Sequence, residues 1–172
     1  MENPTYTDFQ TTILRYYEEH GRSFPWRVTD DPYAILVSEF MLQQTQTERV
    51  TEKYNRWLEV FPTAGDLAAA PLVQVLECWV GLGYNRRANF LHQCAKSIVA
   101  DYGGIVPEDP AVLQTLSGIG PYTAAAISTF AYNRPNVFIE TNIRAVFIFF
   151  FFKDKTDISD RDIFPVIEAA LY

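Results

Sequence analysis

Thr115-Leu-Ser-Gly-Ile-Gly-Pro-Tyr-Thr-Ala-Ala-Ala-Ile127, followed shortly by Phe138-Ile-Glu-Thr-Asn-Ile-Arg144, is the stretch on which the fold reading turns. Gly118 and Gly120 are placed to form a tight turn that opens onto an alanine-rich helix. A turn of this kind aims backbone N–H groups outward at a helix N-terminus, where an anion such as a phosphate docks. Glu140 follows at once behind Val137, Phe138 and Ile139, and directly precedes a helix predicted from Thr141. A phosphate grip close to a carboxylate in apolar surroundings points to chemistry on a nucleic acid. The pattern Leu-x-Gly-x-Gly before a small-residue helix suits a helix-hairpin-helix element, and an ordinary helix–helix turn fits it too. Backbone carbonyls at Gln114, Leu116 and Ile119 offer a place for a monovalent cation, sodium or potassium.

Working outward, nearly every segment reads as helix and none alternates with period two, so the expected class is all-α. Thr7 to Gln10 has capping-box form and leads into Phe9, Ile13, Leu14 and Tyr17 at helical spacing, with a stop near Gly21. After a loop over 23–27, Asp31 caps and Pro32 opens a helix to about Gln44. Further helices are predicted over 47–61, 63–69, from Pro71, over 86–102, from Asp109-Pro110, over 122–132, 141–152 and 159–172. Gly81-Leu-Gly83 and Gly103-Gly104 break the chain. No linker or fixed-period repeat divides it.

With 48% hydrophobic and 15% aromatic residues, the 172-residue chain is not disordered and can bury a substantial core. Nothing at the polar N-terminus resembles a signal peptide, and the longest apolar run, 145–152, is too short to span a bilayer. Cys78 and Cys94 lack metal-ligand spacing and read as small core residues, which implies a reducing, cytoplasmic compartment and, in a prokaryote, association with the nucleoid. The net charge of −7 runs against the basic footprint of nucleic-acid binders. The acids cluster toward the ends, however, and Arg86, Arg87 and Lys96 near the glycine turns leave room for a local basic face. The run Phe147-Ile-Phe-Phe-Phe-Phe152 is apolar all round and needs cover on several sides. Because Ala169-Ala-Leu-Tyr172 ends inside an amphipathic helix with no C-cap, the expectation is a trimmed chain or one whose partner helices are lost. It would be a monomer, with self-association through exposed Phe rings if the chain stops there.

Glu39 is the first candidate for chemistry. Ile35, Leu36, Leu42 and Gln43 are its helical neighbours, and a carboxylic acid on an apolar stripe is desolvated and holds a proton near neutrality. An exposed or arginine-paired glutamate fits the same pattern. Glu140 is the second: the N–H groups of the following helix would stabilise its anion, although a plain helix-start acid reads alike. Together they divide acid and anion roles, the division that breaking an N-glycosidic bond requires. Gln43-Gln44, at the end of the Glu39 helix, and Gly81-Leu-Gly-Tyr84 put amide and aromatic side chains on turns, suited to fill the gap left by an extruded base. Each also reads as a helix end or core aromatic. Trp26 and Arg27 suit a base pocket by stacking and hydrogen bonding, with Leu42 beside them, or serve as an anchor and a solvated arginine. His20 and His92 are isolated and receive no role.

Phe24-Pro-Trp-Arg27, Ser38-Glu-Phe-Met-Leu-Gln-Gln-Thr-Gln46, Gly81-Leu-Gly-Tyr84, Leu116-Ser-Gly-Ile-Gly-Pro-Tyr-Thr123 and Glu140-Thr-Asn-Ile-Arg144 together resemble the helix-hairpin-helix DNA glycosylases, and most closely the MutY-type adenine glycosylases. The segments keep the family's order over about residues 22–150. The resemblance implies that Glu39 protonates the adenine and that Tyr122 occupies the catalytic tyrosine position. Lyase relatives of the endonuclease III type carry a lysine there, so base removal without a Schiff base is expected. It also implies that Gln44 and Tyr84, with Gln43 and Arg86 beside them, engage the duplex. Gly118, Ile119, Gly120 and Thr123 would grip its backbone, and Trp26, Arg27 and Leu42 would edge the adenine pocket. The family usually has aspartate where Glu140 stands, which shifts the reach of the charge. No cysteine follows Cys94, so no iron–sulfur cluster is expected, and no segment matches the domain that recognises 8-oxoguanine.

The expected architecture is a helical hairpin domain over 28–134 and a second helical layer from 1–27 and 135–172, with the active site in the cleft between. The expected partner is double-stranded DNA carrying a mismatch or an oxidised guanine, with no membrane. The expected activity is hydrolytic removal of adenine opposite 8-oxoguanine or guanine. A mismatch thymine glycosylase and a non-catalytic DNA-binding helical module are the rivals.

Overall fold

A computed structural model describes residues 5–171. Its helices are α1 Tyr6–His20, α2 Pro32–Leu42, α3 Thr47–Val60, α4 Ala64–Ala69, α5 Leu72–Trp79, α6 Arg86–Tyr102, α7 Pro110–Leu113, α8 Pro121–Tyr132, α9 Thr141–Phe151 and α10 Asp160–Leu171, with a 3-10 turn at Pro25–Arg27. No strand occurs among the described residues, as the helical periodicity predicts. The chain divides into two compact units. One takes in the described residues of Met1–Arg22 and Pro135–Tyr172; the other is Ser23–Arg134.

In the 23–134 unit, α2 is the central element. Every residue from Tyr33 to Met41 is buried, and α3, α6 and α8 all pack on it. The helical spacing predicts an apolar stripe here; the structure closes all sides of the helix. Its start is fixed twice. Asp31 accepts the Tyr33 N–H at 2.9 Å, and Pro32 at the first position needs no N–H partner. Inside, the Tyr33 hydroxyl donates to the Phe61 carbonyl at 3.0 Å and accepts from Trp57 Nε1 at 3.3 Å. Trp57 in turn meets Phe61 and Trp79 edge-on. The short α4 starts in a capping box in which Thr63 and Asp66 satisfy each other's backbone N–H. Cys94 is fully buried and Cys78 half-buried against this core.

In the other unit, α10 packs on α1 and α9. The capping box of α1 is formed by Thr5 and Asp8, not by Thr7 and Gln10: Asp8 N–H donates to Thr5 Oγ1 at 3.1 Å, and Thr5 N–H to Asp8 at 3.3 Å. A carboxylate at the third helical position reaches back as glutamate would, so the helix starts at Tyr6 and Thr7 lies in its first turn. Phe9 sits among Phe147, Phe150 and Phe151 at centroid distances of 5.0–5.1 Å. Phe147 and Phe152 are buried, whereas Phe149 is 61% exposed, so the aromatic run is not covered all round.

Candidate active-site residues

Glu39 is 9% exposed. Ile35, Leu36, Phe40 and Met41 around it on α2 are all buried. Its carboxyl forms no hydrogen bond or ion pair among the described residues, and desolvation alone raises its pKa from 4.5 to about 7. Near neutral pH such a group holds a proton and can give it up, the requirement for a general acid.

Glu140 is prepared for the opposite role. It is the N-cap of α9: its carboxylate accepts the Ile143 N–H at 2.9 Å and Asn142 Nδ2 at 3.2 Å. A carboxylate suits this place, where the unpaired N–H groups of the first helical turn point out. Arg144, one turn on, pairs with Asp160 at the start of α10.

The glycine turn 118–120 is docked against the Glu39 helix. Gly118 has φ +79, and a Cβ there would stand 2.7 Å from Phe90 Cβ and 2.8 Å from Phe40 Cε1. Only glycine fits both demands. Gly120 is the extended N-cap of α8. The first i→i−4 bond of that helix runs from Ala124 N–H to the Gly120 carbonyl at 2.9 Å, so the N–H groups of Tyr122 and Thr123 precede the helical ladder. The Thr123 and Ile119 side chains are buried, and the Tyr122 ring is 41% exposed. What Thr123 has for an anion is therefore its backbone. At the candidate cation position, the Leu116 carbonyl already accepts the Ile119 N–H at 3.3 Å. Gln114 Nε2 donates to the Pro110 carbonyl. A monovalent ion held there would share the Leu116 carbonyl.

Gln44 and Tyr84 both lie on turns in the left-handed backbone region, at φ 56 and φ 48. Gln44 is exposed and Gln43, the C-cap of α2, is half-buried. The Tyr84 ring is 67% exposed. Trp26 is buried, stacked on Phe24 at 4.9 Å and edge-on to Tyr54, whereas Arg27 and Arg86 are exposed and Leu42 is half-buried. The guanidinium of Arg86 lies 4.9 Å from the Phe90 ring.

Arg87 corrects the expectation of a basic face built from Arg86, Arg87 and Lys96. It is buried, and its guanidinium is turned inward onto backbone carbonyls. A signal for this was present: Arg87 stands four residues before Leu91, on the apolar stripe of α6, where a charge must find polar partners.

The profile of the HhH-GPD superfamily base excision DNA repair proteins matches residues 37–163. An adenine DNA glycosylase of Mycolicibacterium smegmatis is 46% identical over 135 residues, covering 78% of this chain and 46% of that protein. One from Mycobacterium tuberculosis is 44% identical over 137 residues, covering 79% and 45%. The solved structure of a thermostable thymine-DNA glycosylase superposes with a TM-score of 0.87 at 27% identity, covering 97% of this chain and 78% of that one.

Proposed function

Because the chain belongs to the HhH-GPD superfamily of base excision DNA repair proteins, we propose that it removes a mispaired adenine from double-stranded DNA by hydrolysing the N-glycosidic bond. The chain spans about half the length of the curated relatives named above. The observation that carries the reading is Glu39, a carboxylic acid that burial alone brings to a pKa of about 7.

In the proposed reaction, the backbone N–H groups of Gly118, Gly120 and Thr123 take a phosphate. Gln44 and Tyr84 enter the duplex as the adenine is extruded toward Trp26, Arg27 and Leu42. Glu39 gives its proton to the base. The C1′–N9 bond breaks with its electron pair leaving on adenine, and positive charge spreads over C1′ and the ring oxygen. The Glu140 carboxylate opposes that charge, and Tyr122 contributes a hydrogen bond. Water then bonds to C1′ and returns a proton to Glu39, leaving an abasic site. With tyrosine rather than lysine at position 122, no covalent intermediate is invoked.

The test is a single-turnover assay on duplexes carrying adenine opposite 8-oxoguanine, adenine opposite guanine, and thymine opposite guanine. Excision of adenine from the first two is expected. Faster release of thymine would move the assignment to a mismatch thymine glycosylase, a reading the likeness to the thymine-DNA glycosylase favours. Duplex binding with no excision from any of the three would leave a non-catalytic DNA-binding module.

A further inference from the structure

Arg87 is a buried charge that the proposed chemistry does not use. It is 8% exposed, and no carboxylate pairs with it among the described residues. Nη1 donates to the carbonyls of Phe40 at 3.0 Å and Met41 at 3.1 Å, and to that of Gln43. Nη2 donates to Thr45 Oγ1 at 3.0 Å and to the carbonyls of Leu82 at 3.0 Å and Gly83 at 3.2 Å. One nitrogen therefore holds the end of α2, and the other ties the following Thr45 to the 81–84 turn. The acceptors flank the two left-handed residues: Gln43 and Thr45 bracket Gln44, and Gly83 precedes Tyr84. The guanidinium also lies 5.6 Å from the Tyr84 ring centroid. Left-handed backbone persists at side-chain-bearing residues only where the surroundings over-determine it. The rigid fork of a guanidinium supplies that restraint to both turns from one group, which a lysine ammonium cannot. A desolvated cation met by backbone and hydroxyl oxygens and by the Trp79 and Tyr84 rings, with no carboxylate partner among the described residues, is a costly way to gain stability alone.

We propose that Arg87 is a positioning residue that couples the Gln44 turn to the Tyr84 turn, so that the two side chains engage the duplex as one unit. The proposal rests on the functional reading above. Two measurements on the full chain separate them. Without DNA, amide exchange at Thr45, whose N–H closes the turn holding Gln44, and at Leu82, whose N–H closes the 79–82 turn that leads into Tyr84, should accelerate together in Arg87→Lys while the rest of the 23–134 unit keeps its protection. With DNA, affinity for a duplex carrying adenine opposite 8-oxoguanine is measured on uncleaving Glu39→Gln protein bearing Gln44→Ala, Tyr84→Ala or both.

With Arg87 present, the double substitution should cost clearly less affinity than the product of the single losses, the discrepancy being on the order of 10-fold. In Arg87→Lys the losses should multiply. Thr45→Val, which removes one acceptor and keeps the shape, should move both readouts the same way by less; it carries the test if Arg87→Lys does not fold. Coupling that persists unchanged in the variants, or exchange that rises at one turn only, would overturn the proposal. Failure of the Glu39→Gln chain to bind duplex at all would overturn the functional reading instead.

Discussion

Gly118 lies so close against Phe40, the residue after Glu39, that a Cβ at position 118 would stand 2.8 Å from its ring. The glycine turn and the helix bearing the acid are thus set by one contact. A methyl group at 118 adds two penalties: the φ of +79 disfavours any side chain, and the methyl would press on Phe90 Cβ at 2.7 Å and on the Phe40 ring at 2.8 Å. The strained φ and the clash with Phe90 Cβ and the buried Phe40 ring should together cost Gly118→Ala about 2–4 kcal/mol. Urea unfolding checks this; a variant as stable as the parent would mean that the turn is free to move away from α2.

Glu39 makes stability depend on pH. Its folded pKa of about 7 lies above the ordinary 4.5, so between those values the folded chain holds a proton that the unfolded chain has lost. Stability therefore falls as pH rises from about 4.5 to about 7 and levels off above, a loss of about 3 kcal/mol. Glu39→Gln carries no such charge. Its advantage over the parent should be small near pH 4.5 and approach about 3 kcal/mol above pH 7. Parallel denaturation curves at both pH values would show it.

Glu140 caps α9 through the Ile143 N–H. Glu140→Ala should lose about 1 kcal/mol of stability, and Glu140→Asp, a strong N-cap type, should lose less. On the proposed mechanism Glu140→Ala also slows single-turnover excision by on the order of 100-fold, because the anion proposed to offset the sugar cation is gone. A rate fall no larger than the stability change explains would confine Glu140 to capping.

Tyr33 joins Trp57 and Phe61 beneath the start of α2. Tyr33→Phe leaves a buried indole N–H and a buried carbonyl without their partner and should cost about 1–3 kcal/mol. Thermal unfolding measures it.

The helices were legible because apolar residues recur at helical spacing and Pro, Asp and Gly punctuate the ends. Asp31-Pro32 and Gly103 act as read, and Glu140 caps the helix it was expected to precede. Glu39 could be picked out because its neighbours in the sequence are themselves apolar. The stripe of α6 signals that Arg87 is buried but not what it meets: its acceptors at Phe40 and Met41 lie 47 and 46 positions away, and no local period reports them. The tightness at Gly118 was likewise hidden, since the sequence shows a glycine and not the ring of Phe40 that excludes a Cβ. The α1 cap slipped by two residues because Thr5 and Thr7 offer the same hydroxyl, and only Thr5 has a carboxylate three positions on.

The pH profile of single-turnover adenine excision tests the central claim most directly. If a protonated Glu39 delivers the proton, the rate is constant below about 7 and falls about tenfold per unit above it. Glu39→Gln then binds the mismatched duplex and releases no base. A rate that stays level well above that pH, or excision retained by Glu39→Gln, would contradict it.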